Sequence, residues 1–417
     1  MYYKRNIIEL MEKIKNKINN PDFINEHKPK NTSFIRNRRL SFNYIMSFIL
    51  TLPKEGLTYE LDKFFNINNN EEVTITKQAF SKARQLISEM AFYELYLLST
   101  NVKIKNPNTY KEHRVYAIDG SDFQLPDTDE TTSYFGAQSS GSGRPLPMAK
   151  VSHCIDVLNG ASHNVVIGRN KVSERKQAME LLNKDFVDQK EKPIILFDRG
   201  YPSKDMFNYL NSKGYLFLMR SKNQFINCVN ECNLGDTFVK YEHRGETHEL
   251  RVIKFQLTPD LTEILVTNIF ADNYTIEDFK ELYFLRWGIE CRYRDLKINL
   301  KVEKFSGVKP ICILQEIYAT FLVFNLASII KNICDTSFES KKNTIKNNHT
   351  YQTNRNNLSK VLLDNLKEIL LDSKNKLLDI ISCIIEKCKK VRSQVRPNRT
   401  RERKRKHYRQ KHTNNYR

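Results

Sequence analysis

The sequence predicts an α/β fold, a mixed sheet preceded by an all-helical segment, and three observations predict it. Up to about residue 100 the apolar residues recur at helical spacing. Near residue 114 the pattern changes to short apolar runs, Val115-Tyr116-Ala117-Ile118 and Pro193-Ile194-Ile195-Leu196-Phe197, of the length and composition of buried strands. Helical stretches then alternate with these runs, which is how a chain supplies helices to cover the faces of a sheet. Each of the two central runs ends in an aspartate, Asp119 and Asp198.

The elements follow in order. Residues 1–19 are apolar and basic at helical spacing, and Asn20-Pro21 stops them. Phe34–Leu52 is expected as a second helix, with Arg36, Arg38 and Arg39 ahead of its apolar face, and Tyr59–Phe65 as a short third. Thr76 is a candidate N-cap for a helix carrying Lys77, Lys82 and Arg84 among small neighbours. That helix reads equally as a groove-entering DNA helix or as an amphipathic member of a bundle. After the first strand, Lys150–Val157 and Ser162–Arg169 are β-like and joined at Asn159-Gly160, a hairpin signal. Ser139–Pro145, rich in Ser and Gly, reads as a flexible loop. Glu174–Phe186 and Ser203–Asn211 read as helices, with Gly214 as a C-cap and Tyr215–Met219 as a strand. Residues 220–270 alternate polar and apolar positions between Gly and Pro breaks, which predicts a β-rich insertion with strands at 225–229, 236–241, 249–257 and 262–269. Thr275 caps the next helix, with Glu277 and Asp278 in its first turn. The mainly apolar stretch Cys312–Cys334 is interrupted by Gln315, Glu316 and Asn325, so it reads as a buried helix and not a membrane span. Glu339–Asn357 reads as a polar linker, and Leu358–Cys388 as one or two amphipathic helices. Arg396–Arg417 holds ten Lys or Arg against one acid, Glu402, and is expected to be a disordered basic tail.

Bulk properties narrow the function. At 417 residues there is room for two or three domains. A net charge of +20 is more than a small neutral substrate requires; it implies a polyanionic partner, nucleic acid first and an anionic membrane surface second. The eight cysteines form no Cys-x-x-Cys pair, so neither a zinc site nor a disulfide framework is indicated, and a reducing cytoplasm fits. Lys4, Arg5, Glu9 and Glu12 interrupt any opening apolar run, so no signal peptide is expected.

The most informative stretch is Tyr283–Lys297. Tyr283, Arg286, Glu290 and Lys297 are spaced to share one face of an α-helix. The stripe would be roughly 21 Å long at about 1.5 Å per residue. Its cations could hold phosphates and its carboxylate a hard metal ion. The plainer alternative is a solvated face with an i, i+4 salt bridge from Arg286 to Glu290.

Asp119, Asp198 and Glu290 together resemble the catalytic triad of the DDE transposases of bacterial insertion sequences. The pattern Tyr283, Arg286, Glu290, Lys297 is similar to the Tyr-x2-Arg-x3-Glu-x6-Lys (YREK) signature of one subgroup. Ala117-Ile118-Asp119-Gly120-Ser121, with Leu125-Pro126 after it, resembles the first-Asp motif, and Phe197-Asp198-Arg199-Gly200-Tyr201 the second. Thr76–Arg84 resembles part of the family's N-terminal domain, and a β-rich insertion before the Glu is a feature of the subgroup. The resemblance covers about residues 35–335.

The resemblance implies a ribonuclease H-like mixed sheet at 111–338, with the insertion at 220–270. A helical DNA-binding domain (1–110) would precede it; a linker with C-terminal helices (339–395) and the tail (396–417) would follow. It implies Asp119, Asp198 and Glu290 as catalytic metal ligands for two Mg²⁺ ions, with Mn²⁺ able to substitute. It also implies phosphate contacts from Tyr283, Arg286 and Lys297, with Trp287 beside them available to stack on a displaced base, and DNA contacts from Lys77, Lys82 and Arg84. The chemistry suits these residue types. Two hard ions about 3.5–4 Å apart need only oxygen ligands, and phosphodiester cleavage then requires no protein nucleophile. Asp122 is the rival for the first position; its i+3 spacing places it beyond the expected strand end, so Asp119 is preferred. The implied partners are double-stranded DNA, both transposon ends and target, and a second copy of the chain in a synaptic dimer, with no membrane. The implied setting is the bacterial cytoplasm, on the nucleoid. Two other functions compete: a ribonuclease H-like nuclease or junction enzyme without strand transfer, and a non-catalytic DNA-binding protein.

Overall fold

Helix signals and strand runs become elements in nearly the order of the sequence. The computed structural model describes residues 2–35, 39–66, 75–102, 107–139, 144–183, 192–342, 350–372 and 376–395. Arg36, Arg38, positions 140–143 of the Ser/Gly loop, 184–186, 343–349 and the basic run 396–417 lie outside the described residues.

Among the described residues the N-terminal part is helical: α1 (Tyr2–Ile18), α2 (Pro21–Glu26), α3 (Phe42–Leu50), α4 (Leu57–Asn66), α5 (Lys77–Arg84) and α6 (Glu89–Thr100). Asn20 caps α2 by accepting from the Asp22 and Phe23 N–H groups, with Pro21 at the first helical position. Thr76 caps α5 by accepting from Ala79 N–H. The second helix starts at Phe42 and not at Phe34, because Phe34 stands at φ 59°, outside the helical region.

The α/β part follows: β1 (Val115–Gln124), α7 (Asp129–Phe135), β2 (Ala137–Gln138), β3 (Leu146–Asp156), β4 (Ser162–Arg169), α8 (Glu174–Asn183), β5 (Ile194–Phe197), α9 (Lys204–Ser212), β6 (Leu216–Arg220), α10 (Asn227–Asn230), β7 (Gly235–His243), β8 (Glu246–Thr258), β9 (Leu261–Thr267), α11 (Ile276–Phe284) and α12 (Trp287–Arg294). A π-turn, Asp295–Asn299, comes next. The chain then forms α13 (Pro310–Lys342), β10 (Tyr351–Thr353), α14 (Arg355–Leu371), α15 (Leu377–Lys390) and β11 (Arg392–Gln394).

The main sheet runs β2-β3-β1-β5-β6-β9-β8-β7, with β4 on β3. β1, β5 and β6 are parallel, and β9, β8 and β7 continue antiparallel from β6. This mixed α/β sheet, a β3–β4 hairpin beside three parallel strands, is ribonuclease H-like. The hairpin turns where Asn159-Gly160 predicts: Gly160 takes φ 69°, and the Asp156 carboxylate accepts from the Leu158 and Asn159 N–H groups. One expectation changes. Residues 225–229 carry the helical turn α10 in place of a strand. The β-rich stretch expected at 220–270 supplies β7, β8 and β9, and β9 pairs with the edge of β6, so that edge is covered by continuing the same sheet.

By compactness the chain divides differently from its linear boundaries. One unit comprises Met1–Lys105, Phe123–Ala149 and Arg294–Arg417; the other comprises Asn106–Asp122 and Lys150–Tyr293. In the second unit Ile118, Ile195, Phe197, Phe207, Phe217, Met219 and Val266 join one buried cluster between the sheet and α8 and α9. In the first, α13 packs along α6, α3 and α14. Pro310–Phe338 is long and apolar enough to cross a membrane, yet 89% of its most apolar window is buried, so within its unit it is a core helix. The polar stretch after Glu339 is not all linker: α13 runs on to Lys342, and Tyr351–Thr353 pairs with Arg392–Gln394.

Candidate active site

Two parallel strands bring the aspartates to one level. Ala117 on β1 pairs with Leu196 on β5, and Asp119 and Asp198 each follow two residues later. β1 continues to Gln124, so Asp119 is not at the strand's end as expected; it is where the parallel pairing with β5 ends. Each carboxylate is held by a nearby N–H: Gly120 donates to Asp119 Oδ1 at 2.9 Å and Gly200 to Asp198 Oδ1 at 2.6 Å. Burial pushes the Asp119 carboxyl up to about 7; the Gly120 hydrogen bond and Arg286 oppose this, while Asp198 and Glu174 add to it. Tyr293, buried on α12, donates to the backbone carbonyls of Asp119 at 2.8 Å and Val151 at 3.0 Å, fixing β1 against β3. Asp122 faces a different partner, Lys150, at 2.9 Å.

Sequence reasoning missed Glu174 and Lys150. Glu174 opens α8, and its carboxylate lies against the backbone at both aspartate motifs. A Cβ built on Gly120 would meet Glu174 Oε1 at 2.9 Å, and one on Gly200 would meet Oε2 at 3.9 Å and Asp198 Oδ1 at 3.4 Å. Lys150 Nζ lies 3.2 Å from Glu174 Oε1 and so sits between Glu174 and Asp122. In the sequence, Ser173-Glu174 reads as an ordinary helix start, and only the register of β1, β5 and α8 shows its place.

The helical motif is built differently from the stripe expected. α11 ends at Phe284, and the bonds from Leu285 N–H to Leu282 and from Arg286 N–H to Tyr283 are of the tighter i to i−3 kind. α12 follows, and the π-turn at Asp295–Asn299 then widens the backbone, with Leu300 N–H bonding to Asp295. The α-periodicity that would align all four residues is broken twice. Arg286 Nη2 pairs with Glu290 Oε1 at 3.0 Å, the plainer alternative, and its guanidinium lies 5.0 Å from the Trp287 ring and 5.7 Å from Tyr283. Tyr283 is buried, and burial first, with Glu263 and Asp198, raises its hydroxyl pKa against the opposing pull of Arg286. Trp287 is 39% exposed. Lys297 belongs to the other compact unit, where it pairs with Glu303 at 3.4 Å and lies 5.2 Å from the Phe123 ring.

Of the helical-domain candidates, Lys82 is exposed and Lys77 half-buried. Arg84 is corrected: only 1% exposed, it bonds Gln315, Ser306, Glu316 and the Cys312 carbonyl, so in this structure it is a core residue and not a DNA-facing one.

The donor set beside Asp119 suits a hard divalent ion. The carboxylates of Asp119, Asp198 and Glu174 all raise the pKa of the Tyr201 hydroxyl, after burial itself, and this fully buried oxygen has no hydrogen-bond partner among the described residues. Glu290 stays with Arg286. Among the described residues the tight three-residue group of metal-type side chains, all ligand atoms within 4.8 Å, is instead Glu26, His27 and Glu94. There Lys17 already pairs with Glu94 at 2.9 Å.

The geometry agrees with what comparison shows. Residues 110–326, just over half of the chain, match the family model described as Transposase DDE domain. No curated protein matches the chain. A cryo-EM structure of the piggyBac transposase synaptic complex with hairpin DNA is similar in fold, with TM-score 0.52 at 12% identity over 92% of this chain and 85% of that one. With the family match spanning both aspartate motifs and the helix of Glu290, the chain belongs to the DDE transposases.

Proposed function

We propose that this transposase binds the terminal inverted repeats of a bacterial insertion sequence of the YREK subgroup and moves it by metal-dependent cleavage and strand transfer, in cut-and-paste fashion. The observation that carries the proposal is the placement of Asp119 and Asp198 at one level, each two residues past the last parallel pair of β1 and β5, close enough that the Asp198 charge raises the Asp119 pKa. Asp119, Asp198 and Glu290 would hold Mg²⁺, two ions with Mn²⁺ able to substitute, and bound ions would polarise the attacking and leaving oxygens of the phosphodiester. The chain's own part is to aim and to neutralise. Gly120 and Gly200 N–H groups hold the two carboxylates, and Tyr293 holds the strand beneath Asp119. A DNA phosphate reaching Arg286 competes with Glu290 for the guanidinium and frees that carboxylate. The net charge of +20 and the exposed Lys82 support DNA as the partner. The similar piggyBac structure is a synaptic complex with hairpin DNA, which supports DNA as the partner. The same reading takes two copies on paired ends, in the cytoplasm on the nucleoid, with the part-exposed Trp287 as a stacking residue.

The test is cleavage and joining of labelled end DNA. Asp119→Ala, Asp198→Ala and Glu290→Ala each abolish cleavage and leave end binding largely intact; Mg²⁺ and Mn²⁺ support activity and Ca²⁺ does not. Cleavage that survives Asp119→Ala but is lost in Asp122→Ala overturns the site, and cleavage without any joined product overturns strand transfer.

A further inference from the structure

One carboxylate in the candidate active site is not accounted for by the triad. Glu174 reaches toward the backbone of both aspartate motifs, its Oε1 where a Gly120 side chain would be and its Oε2 facing Gly200. Glycine at position 120 is what permits that approach, since a Cβ at 2.9 Å from Oε1 would drive the carboxylate out. Glu174 is also held in place. Arg175 Nε donates to the Gly200 carbonyl at 3.1 Å, Gln177 Nε2 to the Lys150 carbonyl at 3.2 Å, and Ser152 Oγ to Gln177 Oε1 at 2.8 Å, which fastens the start of α8 to both β3 and the second-Asp loop.

Charge and polarity point the same way. Asp122 and Glu174 share one cation, Lys150, while Arg286 is engaged by Glu290, so Asp119 and Asp198 have no dedicated counter-cation at ion-pair distance among the described residues. The Tyr201 hydroxyl is fully buried and has no hydrogen-bond partner among the described residues, and the Tyr201 N–H donates to the Asp198 carbonyl at 3.2 Å, which ties this side chain to the second-Asp loop. A hard divalent cation entering between Asp119, Asp198 and Glu174 would gather their carboxylate oxygens as its ligands. We propose that Glu174 is a further carboxylate ligand of the metal site, sharing an ion with Asp119 and Asp198, and that Lys150 is the positioning cation that fixes its oxygen. This rests on the metal-dependent reading of the same site.

The test reads metal binding directly, by the electron paramagnetic resonance signal of free Mn²⁺ during titration of the full chain without DNA. Glu174→Gln weakens Mn²⁺ binding by about tenfold or more, a loss of the size that ligand-shell changes produce. Gly120→Ala does the same by displacing the carboxylate, and the exposed Glu180→Gln on the same helix binds as wild type. Should Glu174→Gln melt below the assay temperature, Glu174→Asp, which keeps the charge but draws the oxygens back by one carbon–carbon bond, replaces it under the same criterion. Wild-type Mn²⁺ binding by the Glu174 variant beside a loss in Asp198→Asn overturns the role of Glu174 and leaves the active-site assignment standing. Wild-type binding by Asp198→Asn as well removes the metal site itself, and both proposals with it.

Discussion

Arg84 shows what a single residue's chemistry owes to distant partners. Its guanidinium bonds Gln315 at 3.1 Å, Ser306 at 2.9 Å, Glu316 at 3.0 Å and the Cys312 carbonyl at 3.1 Å. Arg84→Leu leaves the buried Glu316 with Lys54, 3.8 Å away, as its counter-charge among the described residues. The expected cost is about 3–5 kcal/mol, read from urea unfolding. A loss under about 1 kcal/mol would mean the network is not a pillar of the core. His153 gives a second prediction at this scale. Burial pushes its pKa down to about 3, with Arg292 adding to the shift, so the folded protein keeps the ring neutral where an unfolded chain protonates it near 6.5. The unfolded state then binds more protons between about pH 6.5 and 3, so stability is lost as pH falls through that window. The contribution is at most about 1.4 kcal/mol per pH unit, and His153→Gln flattens the acid limb of a stability–pH curve by that slope. An unchanged acid limb would show the ring is not buried neutral. Asp119 was legible because a short apolar run announces its own end; Arg84 was not, because its partners lie more than two hundred residues away along the chain.

At the scale of the element, the same contrast separates caps from continuous helices. Thr275 caps its helix as expected, and with Asp278 it forms a full capping box, because every group involved is within three residues. The four-residue stripe was legible as a motif but not as a shape. Its spacing assumes uninterrupted α-geometry, and nothing local in Leu285 or in Asp295–Asn299 announces a tight turn or a π-turn. Lys297 consequently has neighbours that spacing could not name. It pairs with Glu303, whose Oε1 also accepts from Gln124 N–H at 3.2 Å. Lys297→Met is therefore expected to lower stability by leaving Glu303, 9% exposed, short of a counter-charge. If Lys297 also meets a DNA phosphate, the slope of log binding constant against log salt falls by about one unit. Lys297→Arg keeps both. Stability lost with the salt slope unchanged would assign Lys297 to the fold and withdraw it from the DNA contacts.

For the whole molecule, the balance of charge decides more than any one contact. The mixed α/β sheet could be anticipated from alternating runs and the resemblance, but the division into two compact units could not, because described residues after Phe123 and after Arg294 group with N-terminal helices far from them along the chain. The excess charge of +20 calls for a polyanion, and the proposed function makes that polyanion DNA. Residues 396–417, outside the described residues, carry ten of the 68 Lys and Arg and one acid. Phosphates carry no base information, so cations on this run should strengthen binding to any sequence alike. Deleting 396–417 is expected to lower affinity for end DNA and for random DNA by similar factors, most at low salt, and to reduce the salt slope for both. Sequence preference, measured as the ratio of the two affinities, stays constant, because it belongs to elements that reach base edges. The opposing account places the run in an interface that orders two copies on paired ends. Analytical ultracentrifugation of the deletion with end DNA separates the two. If the shortened protein binds single ends at wild-type affinity yet forms no two-end complex, the run acts in assembly and the electrostatic account is wrong.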